Sequence, residues 1–207
     1  MGHATIKAMA LALTLNLALA VSGAVAGEPT EIVKGVVDGV LNVLNNPAYQ
    51  GPAHKNQRRL LMKETVDRRF DYREMAKRSL GPTWGTLSHA QREEFVRLFA
   101  ELLEASYSDK IEKYSTNIRI DYVGENVDED YAEVRTVVLR ANDRIPFTYR
   151  LINDSEGWMV YDVSIEGVSL VSNYRSQFSR IIHESSYTEL VRRLRTKVTE
   201  LHNTGGA

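Results

Sequence analysis

The sequence predicts an α+β fold in which a curved antiparallel sheet packs against several helices. In the first half of the chain, apolar residues recur at the spacing of a helix with one buried face. From about residue 118 the period changes to two, the period of a strand, and helical spacing returns after about residue 171. Helices followed by strands and then by helices indicate an α+β domain rather than alternating βα units.

Two helices are predicted at the start of this pattern. Asn45-Asn46-Pro47 ends the first helix. The second helix, residues 54–69, is largely polar, and Leu60 and Leu61 are expected among its buried residues together with Val66. The apolar stripe of the first helix consists of Ile32, Val33, Val36, Val37, Val40, Leu41 and Leu44.

Two further helix starts carry a capping-box pattern, in which a side chain binds a free backbone N–H of the first turn. Asp71 with Glu74 begins a short helix that ends at Gly81-Pro82. Ser88 with Gln91 begins the longest helix. Its apolar side carries Phe95, Leu98, Phe99, Leu102, Leu103, Tyr107, Ile111 and Tyr114.

The strands are predicted from alternating apolar residues and from the short turns between them. Short turns imply antiparallel neighbours, so about four strands form a curved, NTF2-like sheet. Two helices follow, at residues 172–183 and 187–201. The alternating residues are Ile118, Ile120 and Tyr122, then residues 131–139, then Ile145, Phe147, Tyr149 and Leu151, and finally Met159, Tyr161, Val163 and Ile165.

Residues 1–26 predict a signal peptide. Lys7 gives a positive start, a long apolar stretch follows, and residues 24–26 have the small side chains that a signal peptidase recognises. An uncleaved membrane anchor is the alternative. We expect export to the periplasm with cleavage near Ala26, which leaves a single domain at residues 27–207.

The composition argues against nucleic-acid binding and against several enzyme classes. Lys and Arg number 26 against 27 Asp and Glu, and there is no cysteine. The histidines are too dispersed for a metal site, and no cofactor motif occurs, so we expect neither metal nor cofactor. Asp162 is the one candidate general base, as in a small hydrolase or isomerase on a cone-shaped sheet. The alternative is a structural Asp162 that caps a loop or pairs with an arginine such as Arg175.

The large apolar side chains of the long helix and of the sheet leave two interpretations open. They form either a packed core, as in a pure interaction module, or the wall of an apolar cavity, because a helix layer that stands off a curved sheet leaves a void. The periodicity alone does not separate the two cases.

Two sequence motifs resemble those of the toluene-tolerance auxiliary family. The first comprises Phe70-Asp71, Leu80-Gly81, Trp84 and the aromatic positions of the long helix. The second is longer and covers residues 158–178, with the sequence WMVYDVSIEGVSLVSNYRSQF. The first motif departs from the family pattern at Pro82-Thr83, which implies different contacts near the pocket mouth.

The resemblance implies a periplasmic phospholipid shuttle that serves an ABC transport system, not an enzyme. Its partners would be a phospholipid ligand, an inner-membrane ABC transporter complex and an outer-membrane lipoprotein or porin complex, and the carrier itself would be a monomer. The implied lipid-binding residues are Met75, Leu80, Trp84, Phe95, Phe99, Leu102, Tyr107, Phe147, Tyr149, Tyr161 and Ile165. The implied structural residues are Trp158, Asp162, Gly167, Ser169, Tyr174, Arg175 and Phe178.

Overall fold

The computed structural model describes residues 27–114, 117–141 and 143–205 and confirms the α+β class. The predicted signal peptide lies outside the described residues. The helices are α1 (Glu28–Asn45), α2 (Lys55–Asp67), α3 (Tyr72–Leu80), α4 (Thr83–Thr86), α5 (His89–Tyr114), α6 (Leu170–Glu184) and α7 (Tyr187–Gly205), with short 3-10 turns at Pro47–Tyr49 and Pro52–His54.

Both predicted capping boxes begin helices in the structure. The Asp71 carboxylate accepts a hydrogen bond of 2.8 Å from the Glu74 backbone N–H. The Gln91 backbone N–H donates to the Ser88 hydroxyl at 3.3 Å, and the Gln91 side-chain oxygen accepts from the Ser88 N–H at 2.9 Å. Gly81 ends α3 with a φ of 55°, a conformation that glycine adopts without strain.

The sheet is antiparallel throughout, with the strands in chain order. It has five strands rather than the predicted four, because the chain turns at Gly167, where φ is 82°, and adds a two-residue edge strand. The strands are β1 (Ile118–Asp128), β2 (Tyr131–Arg140), β3 (Asp143–Asp154), β4 (Gly157–Ile165) and β5 (Val168–Ser169).

The predicted orientation of Tyr161 was wrong, because a β-bulge in β4 turns its side chain to the other face of the sheet. Leu151 pairs with Val160, whereas Arg150 pairs with Asp162, so Tyr161 is the extra residue. The alternation therefore changes phase at this point. Tyr161 packs with the helices, not on the sheet face that carries Phe147, Tyr149 and Ile165.

The buried apolar residues form two separate clusters. The first, the helical core, is built by α3, α5, α6 and α7 and includes Phe95, Phe99 and Phe178. The second, the sheet core, includes Val33 of α1 and the Val134, Leu151 and Trp158 side chains of the strands. Helix α1 packs across β1, β2 and β4, while α3 and α6 pack against β4.

The prediction for the buried face of α2 was wrong at Leu60, whereas Leu61 and Val66 are partly buried. Leu60 is 56% exposed, whereas Arg58, Met62 and Thr65 are buried. Arg58 is buried because its guanidinium donates hydrogen bonds of 2.7 Å to the backbone carbonyls of Tyr49 and Gly51 and also pairs with Glu112. The polar helix is thus held largely by charge pairing, not by an apolar stripe.

Candidate functional site

One end of the sheet presents an apolar surface that α1 covers only in part. Along β2, β3 and β4 the inner face is fully buried at Val134, Leu151 and Val160. Towards the other end of the same face, the side chains become partly exposed. We call this partly exposed set the sheet floor; it consists of Ile120, Val138, Ile145, Phe147 and Ile165.

Helix α1 shows a matching change in burial along its length. Val33, near its start, is 1% exposed, whereas Val37, Val40 and Leu44 on the same helical stripe are only partly buried. Two apolar surfaces are therefore incompletely covered in neighbouring elements. Such an arrangement suits an elongated apolar ligand between them, because each surface has contact area left to bury.

Tyr122, Thr136 and Tyr149 lie where the buried part of the face meets the sheet floor. Tyr122 is the register partner of Thr136, and Tyr149 lies diagonally across from Thr136. Burial raises the pKa of Tyr149 to about 12, partly opposed by an interaction with the Thr136 hydroxyl. Burial, with the nearby Tyr149 and Asp38, also raises the pKa of Tyr122. These hydroxyl groups are neutral near pH 7 and add no charge to the apolar surface.

Most of the predicted pocket residues of the helices lie inside the helical core. They are only 0–4% exposed: Met75, Leu80, Phe95, Phe99 and Leu102. The Phe95 and Phe99 rings lie 5.7 Å from that of Phe178 on α6, and Phe99 lies 5.2 Å from Tyr174. The aromatic side of α5 therefore packs against α6, whereas the resemblance implied that these residues line a lipid pocket.

Of the other predicted pocket residues, Trp84 and Tyr107 lie at the margin of the helical core, whereas Tyr161 is buried within it. Trp84 is partly buried between the guanidinium groups of Arg73 and Arg92, which are 5.9 and 5.4 Å from its ring. Tyr107 is also partly buried, and burial with the neighbouring Tyr174 raises its pKa to about 12. Tyr161 is covered by Arg78, whose guanidinium carbon is 4.1 Å from the ring centroid.

Asp162 is a structural carboxylate at the junction of the sheet and α6. It is 4% exposed and pairs with Arg150 at 3.1 Å, so the predicted pairing with Arg175 was wrong. Its two oxygens accept hydrogen bonds from the Ser169 hydroxyl at 2.6 Å and from the Val171 backbone N–H at 3.1 Å. These partners occupy the carboxylate and favour the structural interpretation over a general base.

The structural roles predicted for the long C-terminal motif can be compared with these contacts. Ser169 caps α6 by accepting a hydrogen bond of 3.0 Å from the Ser172 N–H. Trp158 is 5% exposed in the sheet core and Phe178 is 3% exposed in the helical core. Arg175 instead lies beside Gly81, where a Cβ added to the glycine would be 3.3 Å from the arginine side chain.

A family model described as MlaC protein matches residues 34–196. The chain belongs to the MlaC protein family. The match contains the whole sheet, the helical core apart from the end of α7, and both sequence motifs.

Two individual proteins give the similarity more detail. The intermembrane phospholipid transport system binding protein MlaC of Haemophilus influenzae is 28% identical over 126 residues, which are 58% of this chain and 59% of that protein. The chain thus spans about three fifths of the length of this curated relative. A phospholipid-binding protein from Ralstonia solanacearum, solved in complex with a phospholipid, has a TM-score of 0.76 at 23% identity, covering 85% of this chain and 99% of that one. This second likeness establishes that the fold is shared.

Two surface cavities lie beside α2 in this MlaC family member, and neither is lined by a residue of the sheet floor. One, of about 280 Å³, is lined by Asn56, Arg59, Leu60, Lys63, Glu104 and His202. The other, of about 600 Å³, is lined by Leu44, Asn45, Gln50, Gly51, Pro52, Lys55, Arg58, Asp109, Glu112 and Lys113. Polar and charged side chains dominate both, and neither includes a predicted lipid-binding residue.

The described part of this MlaC family chain holds neither a metal-ligand cluster nor a membrane-spanning helix. Within residues 27–114, 117–141 and 143–205, no three potential metal ligands come together. No helix in these ranges combines the length and the apolar character needed to cross a membrane.

Three residues of the sheet floor were not predicted as site residues: Ile120, Val138 and Ile145. The signal that could have identified them is present in the sequence, because the alternation that defines their strands also places them on one face of the sheet. The family resemblance instead implied site residues that are mostly aromatic. In the structure, these residues are divided between the two apolar clusters.

Proposed function

We propose that this protein carries a phospholipid through the periplasm and that the acyl chains lie between the sheet floor and the C-terminal half of α1. The observation that carries the proposal is the half-covered apolar floor of a sheet whose inner face is fully buried at Val134, Leu151 and Val160. Membership of the MlaC family and the phospholipid named for both similar proteins support the choice of ligand.

The physical driving force for such a carrier is the removal of acyl chains from water. Each buried methylene contributes about 0.8 kcal/mol, so two long chains retain a lipid without any covalent step. Release then requires an apolar acceptor, such as a membrane protein complex. A carrier of this kind has no need of a nucleophile or a metal, and it acts without catalysis.

The residues predicted to bind lipid are divided between the two apolar clusters, and we propose different roles for the two groups. Phe147 and Ile165 contact the lipid directly, together with the other residues of the sheet floor. Tyr149, at the inner edge of the floor, also contacts it. Trp84 and Tyr107, at the margin of the helical core, form part of the entrance. Met75, Leu80, Phe95, Phe99 and Leu102, together with Tyr161, contribute to the site by holding the helices in place, and they contact lipid only if those helices separate.

The proposed cellular role follows from this ligand. A signal peptide at residues 1–26 directs export, and the mature monomer receives and delivers lipid at an inner-membrane ABC transporter complex and at an outer-membrane lipoprotein or porin complex. This traffic would maintain the lipid asymmetry of the outer membrane and contribute to toluene tolerance.

The test is the lipid content of a protein that carries a charge on the sheet floor. Phe147→Asp places a carboxylate among apolar side chains, and we expect it to lower the phospholipid recovered per chain by about tenfold or more. Lipid is measured by organic extraction and mass spectrometry of the purified protein. Val123→Asp is the matched control, because Val123 is 57% exposed on the same sheet.

Folding of both variants is checked by circular dichroism. A folded Phe147→Asp protein with the same lipid content as the control would exclude the sheet floor as the site. A wild-type protein that yields no diacyl phospholipid and takes up none from vesicles would exclude the carrier function itself.

A further inference from the structure

The larger of the two surface cavities lies at the C-terminal end of α1. Its volume of about 600 Å³ is within the usual range of small-molecule sites. Leu44, the last residue of the apolar stripe of α1, forms part of its wall, and the last turns of α5 contribute Asp109, Glu112 and Lys113. The cavity therefore adjoins the half of α1 that we propose to cover the acyl chains.

The same cavity is tied by the chain to the open end of the sheet. Lys113 is five residues before Ile118, where β1 begins, and five residues span at most about 17 Å. Ile118 pairs with Arg140, two residues beyond the sheet-floor pair of Ile120 and Val138. The cavity and the open end of the floor are therefore within one short chain segment of each other.

A phospholipid bound on the sheet floor would have its headgroup at this open end. The opposite end of the inner face is closed, because Val134, Leu151 and Val160 are at most 1% exposed. A phosphate placed there would be buried without a counter-charge. Acyl chains that lie between the floor and α1 therefore leave the charged headgroup on the side of the cavity.

The cavity wall carries both signs of charge. Lys55 and Asp109 form a pair at 3.7 Å, and their side chains are 34% and 48% exposed. Because the pair is longer than a hydrogen bond and in contact with water, a charged ligand can bind it by displacing water. Lys113 adds a further cation. Arg58 instead shapes the wall, since its buried guanidinium donates to two backbone carbonyls at 2.7 Å and pairs with Glu112.

We propose that this cavity binds the headgroup of the carried phospholipid and favours a zwitterionic phosphoethanolamine group. Lys55 and Lys113 contact the phosphate, and Asp109 accepts a hydrogen bond from the headgroup ammonium. An anionic phosphoglycerol headgroup has no ammonium, so it lacks the charge-assisted contact with Asp109. This inference rests on the proposed carrier function and adds to it the class of headgroup.

The experiment is a competition between two headgroups on the same acyl chains. Delipidated protein is incubated with vesicles that contain equal amounts of palmitoyl-oleoyl phosphatidylethanolamine and palmitoyl-oleoyl phosphatidylglycerol, and the bound lipids are quantified by mass spectrometry. We expect Asp109→Asn to lower the ratio of bound ethanolamine to glycerol lipid about threefold, because a partly exposed ion pair discriminates modestly. Glu101→Gln is the matched control. Glu101 is exposed on the same helix and outside the cavity, so its substitution changes the net charge equally and should keep the ratio.

A lysine variant tests the phosphate contact. Lys113→Gln should lower the total lipid loaded about threefold and affect both headgroups alike, since both contain the phosphate. Lys34→Gln should load as the wild type, because Lys34 is an exposed residue of α1 outside the cavity. Circular dichroism checks that all four variants are folded.

The outcomes distinguish the failure of this inference from that of the carrier function. An unchanged lipid ratio in Asp109→Asn, or equal loading of Lys113→Gln and Lys34→Gln, overturns the headgroup site and leaves the carrier intact. Inorganic phosphate is also titrated into delipidated protein by calorimetry. Phosphate binding that Lys113→Gln abolishes, with lipid loading unaltered, would make the cavity a site for free anions and overturn the proposal. A wild-type protein that loads neither lipid overturns the carrier function and, with it, the headgroup site.

Discussion

Asp162 joins the sheet to the following helix through three contacts to one carboxylate. It pairs with Arg150 of β3 and accepts hydrogen bonds from Ser169 and Val171 at the start of α6. The sequence identified Asp162 as a residue that could pair with an arginine, but it did not identify the correct arginine. Arg150 and Arg175 are equally plausible from the sequence, and only the register of β3 against β4 brings Arg150 beside Asp162.

We expect Asp162→Asn to lower the free energy of unfolding by about 2–3 kcal/mol, because hydrogen bonds to a charged group become neutral ones. Urea denaturation measures the change. Asp121→Asn is the control, since Asp121 forms an exposed pair with Arg119 and should cost no more than about 1 kcal/mol. Equal losses in the two variants would show that Asp162 does not hold the junction. The lipid content of the folded Asp162→Asn protein should remain unchanged. If Asp162 were instead the general base of an enzyme, the variant would lose its enzymatic turnover.

At the scale of single elements, local signals in the sequence predicted most helix starts and all four long strands. Asp71 and Ser88 are recognisable because capping depends on side chains within four residues of each other. The bulge at Tyr161 was not predictable in this way. Apolar residues alternate without interruption from Met159 to Ile165, and no glycine or proline marks the change of phase.

The end of α3 provides a test of local backbone geometry. Gly81 has a φ of 55°, and an added Cβ would lie 3.3 Å from Arg175. We expect Gly81→Ala to lower the free energy of unfolding by about 1–2 kcal/mol. Gly85→Ala should be neutral or slightly stabilising, because Gly85 lies in α4 with nothing within 4 Å of an added Cβ. Thermal and urea denaturation of the two variants gives the comparison, and an equally stable Gly81→Ala protein would contradict it.

Across the whole molecule, the two apolar clusters divide the protein into a helical core and a sheet core. The sequence predicted which residues are apolar and which elements carry them. It could not predict that the aromatic side of α5 would pack against α6, because periodicity shows which face of a helix is buried but not which element buries it. That is why Phe99 and Phe147, predicted to line one pocket, lie in different clusters.

This division predicts where lipid binding alters hydrogen exchange. Loading the delipidated protein with phospholipid should slow amide exchange in α1 and at the open end of β1, β2 and β3, since the ligand covers these elements. Peptides from α7 serve as internal controls and should be unchanged. Mass spectrometry of exchanged peptides measures both regions. Protection confined to α5 and α7 would place the ligand in the helical core instead.

Several tyrosines make the stability of the whole protein sensitive to high pH. Burial raises the pKa of Tyr107, Tyr149 and Tyr187 to about 12, against an ordinary value of about 10. The folded state thus retains protons that the unfolded state releases. The contribution of these tyrosines to the free energy of unfolding should be constant up to about pH 9 and should be lost as the pH rises from about 10 to 12. Urea titrations across this range test it: Tyr149→Phe should give a shallower fall, and a flat profile for the wild type would be inconsistent with neutral buried tyrosines.

The separation of the two cores also bears on how the proposed carrier could diverge. Substitutions on the sheet floor, such as at Ile145 or Phe147, do not alter the contacts among the Phe95, Phe99 and Phe178 rings, which belong to the helical core. A lineage can therefore adapt the cargo-facing half to chains of another length or branching while the other half keeps its shape. The range of lipids bound and the stability of the fold can therefore change independently in evolution.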